Sequence, residues 1–283
     1  MSTSPVKNDV TVLVCCHKKD FCHTGEGFYP VHVGRALHPE IDLGIPGDDT
    51  GDNISTKNPN YCELTAHYWL WKNGRKSKYV GLNHYRRYFD FKSKLPWWVP
   101  YRIINENEID SASLDIPDLD NELRNCDIIL PRRIIYPCSL ADNYRNAHIN
   151  EDFQILEHVV KEHYSEYYQS FKYVMYRTNR LAHYNMFISD RQIFDDYSSW
   201  LFGVLSKVEK HVKISAYQSQ ARVFGYMAER LMNVYVHKHS LRVKYMPVIK
   251  VAEEKPLSSG CWLRMMFKNN GAWYLTKGYR NIE

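Results

Sequence analysis

The chain lacks the marks of a secreted, membrane-spanning or metal-clustered protein. Its seven cysteines, Cys15, Cys16, Cys22, Cys62, Cys126, Cys138 and Cys261, form no CxxC pair and no Cys/His grouping at zinc spacing. An odd number without a framework reads as reduced thiols of the cytosol. No run approaches the about 20 apolar residues needed to cross a bilayer, and MSTSPVKND at the start has no apolar signal core. The expectation is a cytoplasmic chain. Also missing are a nucleophile elbow, a P-loop, a dinucleotide GxGxxG turn, internal repeats, low-complexity tracts and coiled-coil heptads. There is no dense basic stripe either. A net charge of +5, with basic residues scattered until the last third, suits an anionic ligand or an anionic membrane surface better than duplex DNA. No nucleic-acid partner is expected.

What is present is enough for one large α/β domain, or a domain with a small appendage, in 283 residues. Only the aromatic share, 14% with 22 Tyr and 7 Trp, stands out. Such rings suit stacking on a sugar or a base, and more commonly a Tyr-rich core or interface. VTVLVCC (residues 10–16) is a short β-branched run that fits a strand buried on both faces. IPGDDTGDNISTK (45–57) has the composition of a loop. YCELTAHYWLWKNG (61–74) carries Leu64, Tyr68 and Trp71 at helical spacing, with Asn73-Gly74 as the stop. KYVGLN (78–83) reads as a second buried strand running into HYRRYF, residues 92–121 as a surface excursion, and CDIIL (126–130) as another strand. Residues 150–168 show helical periodicity; HYNMFI (183–188) reads as a strand leading into a helix. Residues 218–237 read as one long amphipathic helix and 242–251 as a closing strand. This alternation predicts an α/β fold with a mixed, mainly parallel sheet, over residues 8–251. The basic and aromatic segment 252–283, with Trp262, Met265, Phe267 and Trp273, would then dock on an acceptor or an anionic bilayer, or pack on the core.

Several groups could carry chemistry. HYRRYF puts His84, Arg86 and Arg87 just after a buried strand, where open α/β sheets bind ligands. Two arginines there can grip phosphate oxygens, or bridge to an acid on a neighbouring loop. In GDDTGDNIS, Asp48, Asp49 and Asp52 lack the ligand alternation and distal glutamate of a calcium loop. Asp49, Asp52 and Asn53 suit hydrogen bonds to a sugar or nucleobase, or simply a solvated turn. Sugar transfer with inversion needs a base, and Asp152 and Glu229 are the candidates, though an acid in such a helical segment is more often a surface charge or a cap. His148 would share a helical face with Asp152 if that helix began early enough.

FYPVHVGRA (28–36), GDDTGDNIS (47–55), YCELTAHYWLWKN (61–73), YVGLNHYRRYF (79–89), CDIILP (126–131), HYNMFI and YQSQARVFGYMAERL (217–231), in this order, resemble the domain of unknown function 4422 family of bacterial polysaccharide glycosyltransferases. The resemblance implies a GT-A-like fold with one nucleotide-sugar domain. It also implies transfer of a sugar, galactofuranose first among the guesses, from a UDP-sugar to a capsular, exopolysaccharide or O-antigen acceptor, oligosaccharide or lipid-linked. On that basis Cys16, His17 and His32 approach the nucleoside, and Asn185 and Met186 line the sugar pocket. His84, Tyr85 and Arg86 replace the Asp-x-Asp metal motif of many GT-A enzymes, so His84, Arg86 and Arg87, assisted by Arg222, would neutralise the diphosphate. No cofactor beyond the UDP-sugar is then expected, and no metal is favoured. Glu229 falls where inverting GT-A enzymes often present their catalytic acid residue. A retaining transferase and a noncatalytic sugar-nucleotide-binding protein are the alternatives.

Overall fold

The computed structural model describes residues 9–110 and 113–252. The basic and aromatic segment from residue 253 onward lies outside them, as does Cys261. In VTVLVCC every second residue and most of the others are apolar, and β1 (Val10–Cys16) is accordingly covered on both faces. It runs parallel to β2 (Phe28–His32) on one side and to β3 (Tyr79–His84) on the other. Between β2 and β3 lie the Asp-rich loop and two helices, α1 (Asn58–Tyr61) and α2 (Leu64–Asn73). One continuous helix was the expectation here; the structure breaks it at Cys62, whose φ of 55° turns the chain before α2 begins.

β3 and β4 (Arg87–Phe89) form a hairpin in which His84 opposes Arg87, so HYRRYF is a tight turn at a strand end. β5 (Tyr101–Asn105) follows, then α3 (Leu119–Glu122), β6 (Ile128–Pro131) and the two-residue β7 (Ile134–Ile135). The supposed surface excursion 92–121 thus supplies a strand, and it buries Leu114 and Leu119. Three helices, α4 (Leu140–Ala147), α5 (Asn150–His163) and α6 (Ser165–Arg177), lead to β8 (Arg180–Leu181), which pairs with β7. β9 (Phe187–Asp190) starts later than expected, because Tyr184 and Asn185 sit at φ 75° and 51° and form a turn instead of extended chain. α7 (Arg191–Val208) follows. The long amphipathic helix is divided at Arg222 into α8 (Gln218–Ala221) and α9 (Val223–Lys238). The closing strand is divided at Pro247 into β10 (Val243–Met246) and β11 (Val248–Ala252).

The sheet runs β2-β1-β3-β9-β6-β10, all strands parallel except β9. Past the end of β3 it curls through β4, β11 and β5. β9 approaches β3 so closely at Gly81 that a Cβ there would lie 2.6 Å from the Phe187 carbonyl oxygen, which only glycine avoids. The main core fills the space between the sheet and α2, α4–α7 and α9; Leu13, Leu82, Phe171 and Phe187 are all essentially inaccessible, each worth about 1.5–3 kcal/mol of burial. Among the described residues no helix is long and apolar enough to cross a membrane.

Candidate functional site

The carboxyl ends of β1 and β3 lie side by side, with Cys15 opposite His84. Beyond such ends an open α/β sheet has its crevice. Here the crevice consists of two adjoining cavities, of about 530 and 430 Å³, which share Cys62, Glu63, His84, Arg87 and Arg222 as a common wall.

The larger cavity is basic. Its wall takes Cys15 and His17 from the end of β1, Arg86 and Arg87 from the hairpin, Arg222 from the break between α8 and α9, and Lys250 from β11. Among the described residues no carboxylate lies within ion-pair distance of Arg87, Arg222 or Lys250. The Arg87 guanidinium rests 4.7 Å from the Tyr184 ring centre. The Lys250 ammonium is 3.5 Å from that of Tyr101. Arg222 Nε donates to Cys62 Sγ at 3.2 Å. Burial, and then the Arg87 charge, push the Lys250 amine down to about 8. Glu63 is the one carboxylate among the residues lining this cavity, and it lies beyond ion-pair distance of all three cations, which repel each other unless an anion enters.

Arg86 is placed differently from its neighbour. Its Nε and Nη2 both donate to Asp20 Oδ1, at 2.8 and 2.6 Å, and Lys18 adds a 3.2 Å ion pair to the other oxygen. Burial would raise the Asp20 carboxyl; the bonds from Arg86, the Phe21 N–H and Lys18 outweigh it and hold the group below its usual range. Arg86 therefore fastens the loop after β1 to the hairpin. His84 lines both cavities, and its Nε2 lies 2.6 Å from the Tyr184 carbonyl oxygen, which can only accept; burial keeps its pKa low, so the ring is neutral.

The smaller cavity carries carboxylate, imidazole and aromatic groups: Glu63, Glu229, His183, Tyr136, His148 and Tyr226. The Glu229 charge is answered internally. Glu229 Oε1 accepts from the Tyr184 N–H at 2.7 Å, Oε2 from His183 Nδ1 at 3.3 Å, and Arg230 stands 3.9 Å away. Burial would raise Glu229, but His183, Arg230 and the Tyr184 N–H overrule it and bring the carboxyl to about 2. The other ring nitrogen of His183, Nε2, lies 2.6 Å from the Tyr136 hydroxyl, so the imidazole bridges Glu229 and Tyr136. Arg230 also donates to Asn143 Oδ1 at 3.0 Å, and His148 stacks on Tyr226 with ring centres 4.0 Å apart.

The structure brings His17, His84, Arg86, Arg87, Arg222 and Glu229 to the crevice walls, with Asn185 directly behind, its Nδ2 donating to Glu63 Oε1 at 2.6 Å and to the Gly225 carbonyl at 3.1 Å. Other expected residues line neither cavity. Cys16 points away from its neighbour Cys15, as alternate strand residues do, and its Sγ meets Cys22 Sγ at 3.5 Å. His32 and Met186 are buried in the interior. The Asp-rich loop is bonded to itself and its surroundings: Asp48 accepts from the Gly34 and Arg35 N–H groups and from Ser55, Asp52 from Tyr68, and Asn53 bonds Gly51 and Ser55. Asp49 is exposed. Asp152 is buried in α5, where desolvation and then Glu151 raise it to about 6. The pairing of His148 with Asp152 does not form, because α5 begins only at Asn150 and His148 caps α4 instead. Among the described residues no three His, Cys, Asp or Glu side chains converge as a metal set. Glu63, Lys250, His183 and Tyr184 went unnoticed in the sequence; the one signal was the Cys-Glu step inside a helical pattern.

Residues 11–240 match the family described as a domain of unknown function, DUF4422. No curated protein matches the chain. Among solved structures, the apo structure of the bifunctional glycosyltransferase WbbM is similar: 35% identical, with a TM-score of 0.77 over 87% of this chain and 46% of that one. This chain thus spans about half the length of WbbM. The mixed α/β sheet, parallel at its core, is the GT-A-like arrangement that the resemblance implied, and the chain belongs to the domain of unknown function 4422 family.

Proposed function

We propose that the chain is a glycosyltransferase that moves a sugar, galactofuranose first among candidates, from a UDP-sugar to a capsular, exopolysaccharide or O-antigen acceptor on the cytoplasmic side of the membrane. The observation that carries this reading is the trio Arg87, Arg222 and Lys250, without an ion-paired carboxylate among the described residues, around a cavity at the carboxyl ends of β1 and β3. Likeness to half of a bifunctional glycosyltransferase supports it. A diphosphate brings negative charge within bonding reach of these cations, and a preorganised cationic cradle stabilises it most as the leaving group gains charge. Where many enzymes of this fold carry carboxylates for a metal, this chain has His84, Tyr85 and Arg86. His84 spends its Nε2 on the Tyr184 carbonyl and Arg86 is one of four cations around the cavity, so this His-Tyr-Arg set offers no carboxylate to a divalent ion, and side-chain cations take that part. The adjoining cavity, with Tyr226 and His148 stacked at its wall, receives the acceptor sugar, whose hydroxyl attacks the anomeric carbon from the face opposite the diphosphate.

A thermal-shift screen of uridine, guanosine and cytidine diphosphates and their sugars tests the reading. UDP at about 100 times its Kd should add about 2.7 kcal/mol to stability and raise the Tm by several degrees. UDP release from a UDP-sugar should persist in EDTA. If none of the nucleotides moves the Tm, the proposal fails; if release stops in EDTA and returns with Mn²⁺, the cation cradle does not replace a metal.

A further inference from the structure

Glu63 is a buried carboxylate that nothing else in the fold explains. The turn at Cys62 places it at the start of α2, on the wall common to both cavities. Only 9% of its surface is exposed, yet among the described residues no Lys, Arg or His lies within ion-pair distance. Burying a carboxylate without a cation is costly, and folds keep such groups where chemistry uses them. One oxygen, Oε1, is held by Asn185 Nδ2 at 2.6 Å. Asn185 is in turn fixed by its left-handed backbone and its bond to the Gly225 carbonyl. The second oxygen takes no hydrogen bond from the described residues.

Glu229, the other carboxylate of the crevice, is the opposite case. Both its oxygens are engaged, and the same bonds make it a very weak base. It orients His183 and Tyr184. Asp152 lines neither cavity.

We infer that Glu63 is the catalytic base. This rests on the nucleotide-sugar reading above. The acceptor oxygen forms its bond to the anomeric carbon as the bond from that carbon to the diphosphate oxygen breaks. The acceptor proton passes to the free Glu63 oxygen, and the electron pair leaves with UDP toward Arg87, Arg222 and Lys250. Asn185 keeps the carboxylate turned toward the junction.

The test measures UDP release from UDP-galactofuranose, UDP-galactose, UDP-glucose and UDP-N-acetylglucosamine with water as acceptor, beside the melting shift caused by UDP. With whichever donor the wild type hydrolyses, Glu63→Gln should lose at least about 100-fold in kcat, the usual worth of a general base, while the donor KM and the UDP melting shift stay within about threefold. Should the Gln variant not fold, Glu63→Asp, which keeps the charge and withdraws it by one carbon, should lose at least about tenfold in kcat with the UDP shift intact. Wild-type kcat in a folded Glu63→Gln, or in Glu63→Asp where Gln does not fold, overturns the role. So does a loss confined to the UDP shift. A wild type that neither binds UDP nor releases it from any donor overturns the nucleotide-sugar reading, and this role with it.

Discussion

The two cavities share a wall and differ in how their charges are answered. In the smaller one Glu229, His183, Tyr136, Arg230 and Asn143 bond or pair with one another, so the Glu229 charge is answered without a ligand. In the larger one Arg87, Arg222 and Lys250 touch ring faces and a thiol, with no carboxylate within ion-pair distance among the described residues. A completed network holds geometry; an unanswered set of like charges waits for an opposite one. Neighbouring arginines make the same point at shorter range. Arg86 ties two loops through Asp20, whereas Arg87 faces the cavity. The difference lies in what each guanidinium meets, and sequence position does not reveal it.

The largest effect should come from removing the unanswered charges. Arg87→Ala with Arg222→Ala should weaken UDP binding at least about 100-fold in calorimetry, since each charge-assisted bond is worth roughly 1.5–3 kcal/mol, with little change in Tm of the free protein. The opposite signature is expected in the completed network. Glu229→Gln leaves Arg230 buried beside a neutral group and should cost about 2–3 kcal/mol at pH 7, read by chemical denaturation. Because the folded Glu229 pKa is about 2, below the unfolded value of about 4.3, its stabilisation is full above that unfolded value; the gap between wild type and variant should close as pH falls from about 4 to 2.

Lys250 gives a third, smaller contrast. Its amine, at about 8, must be protonated to meet a phosphate, so UDP affinity should fall about tenfold between pH 7 and pH 9. Lys250→Met should flatten that slope while lowering affinity at pH 7. The smallest effect belongs to Asp152, outside both cavities. Its folded pKa of about 6 exceeds the unfolded value of about 3.9, so ionisation costs stability as pH rises through that interval. Asp152→Asn should gain about 1 kcal/mol at pH 8 and nothing at pH 4, with UDP release unchanged.

Much of the fold was legible because its signals are local. VTVLVCC reads as a doubly buried strand, and it is one. The two divided segments were not legible: nothing in the helical periodicity of residues 61–74 announces the positive φ of Cys62, and nothing in 218–237 announces the break at Arg222. Yet those breaks aim Glu63 and Arg222 into the crevice. The Asp-rich loop misled for the converse reason. Its side chains looked available as ligands, and the loop consumes several of them in its own turns. Lys250 gave no signal because its importance comes from β11 pairing with β4, far earlier in the chain.

The charge argument stands or falls on a titration of the wild-type protein with UDP and with uridine at pH 7. Binding of UDP at least about 100-fold tighter than uridine is the predicted result, because the cradle of Arg87, Arg222 and Lys250 reads the diphosphate. Equal affinities, or no binding of either, would contradict it.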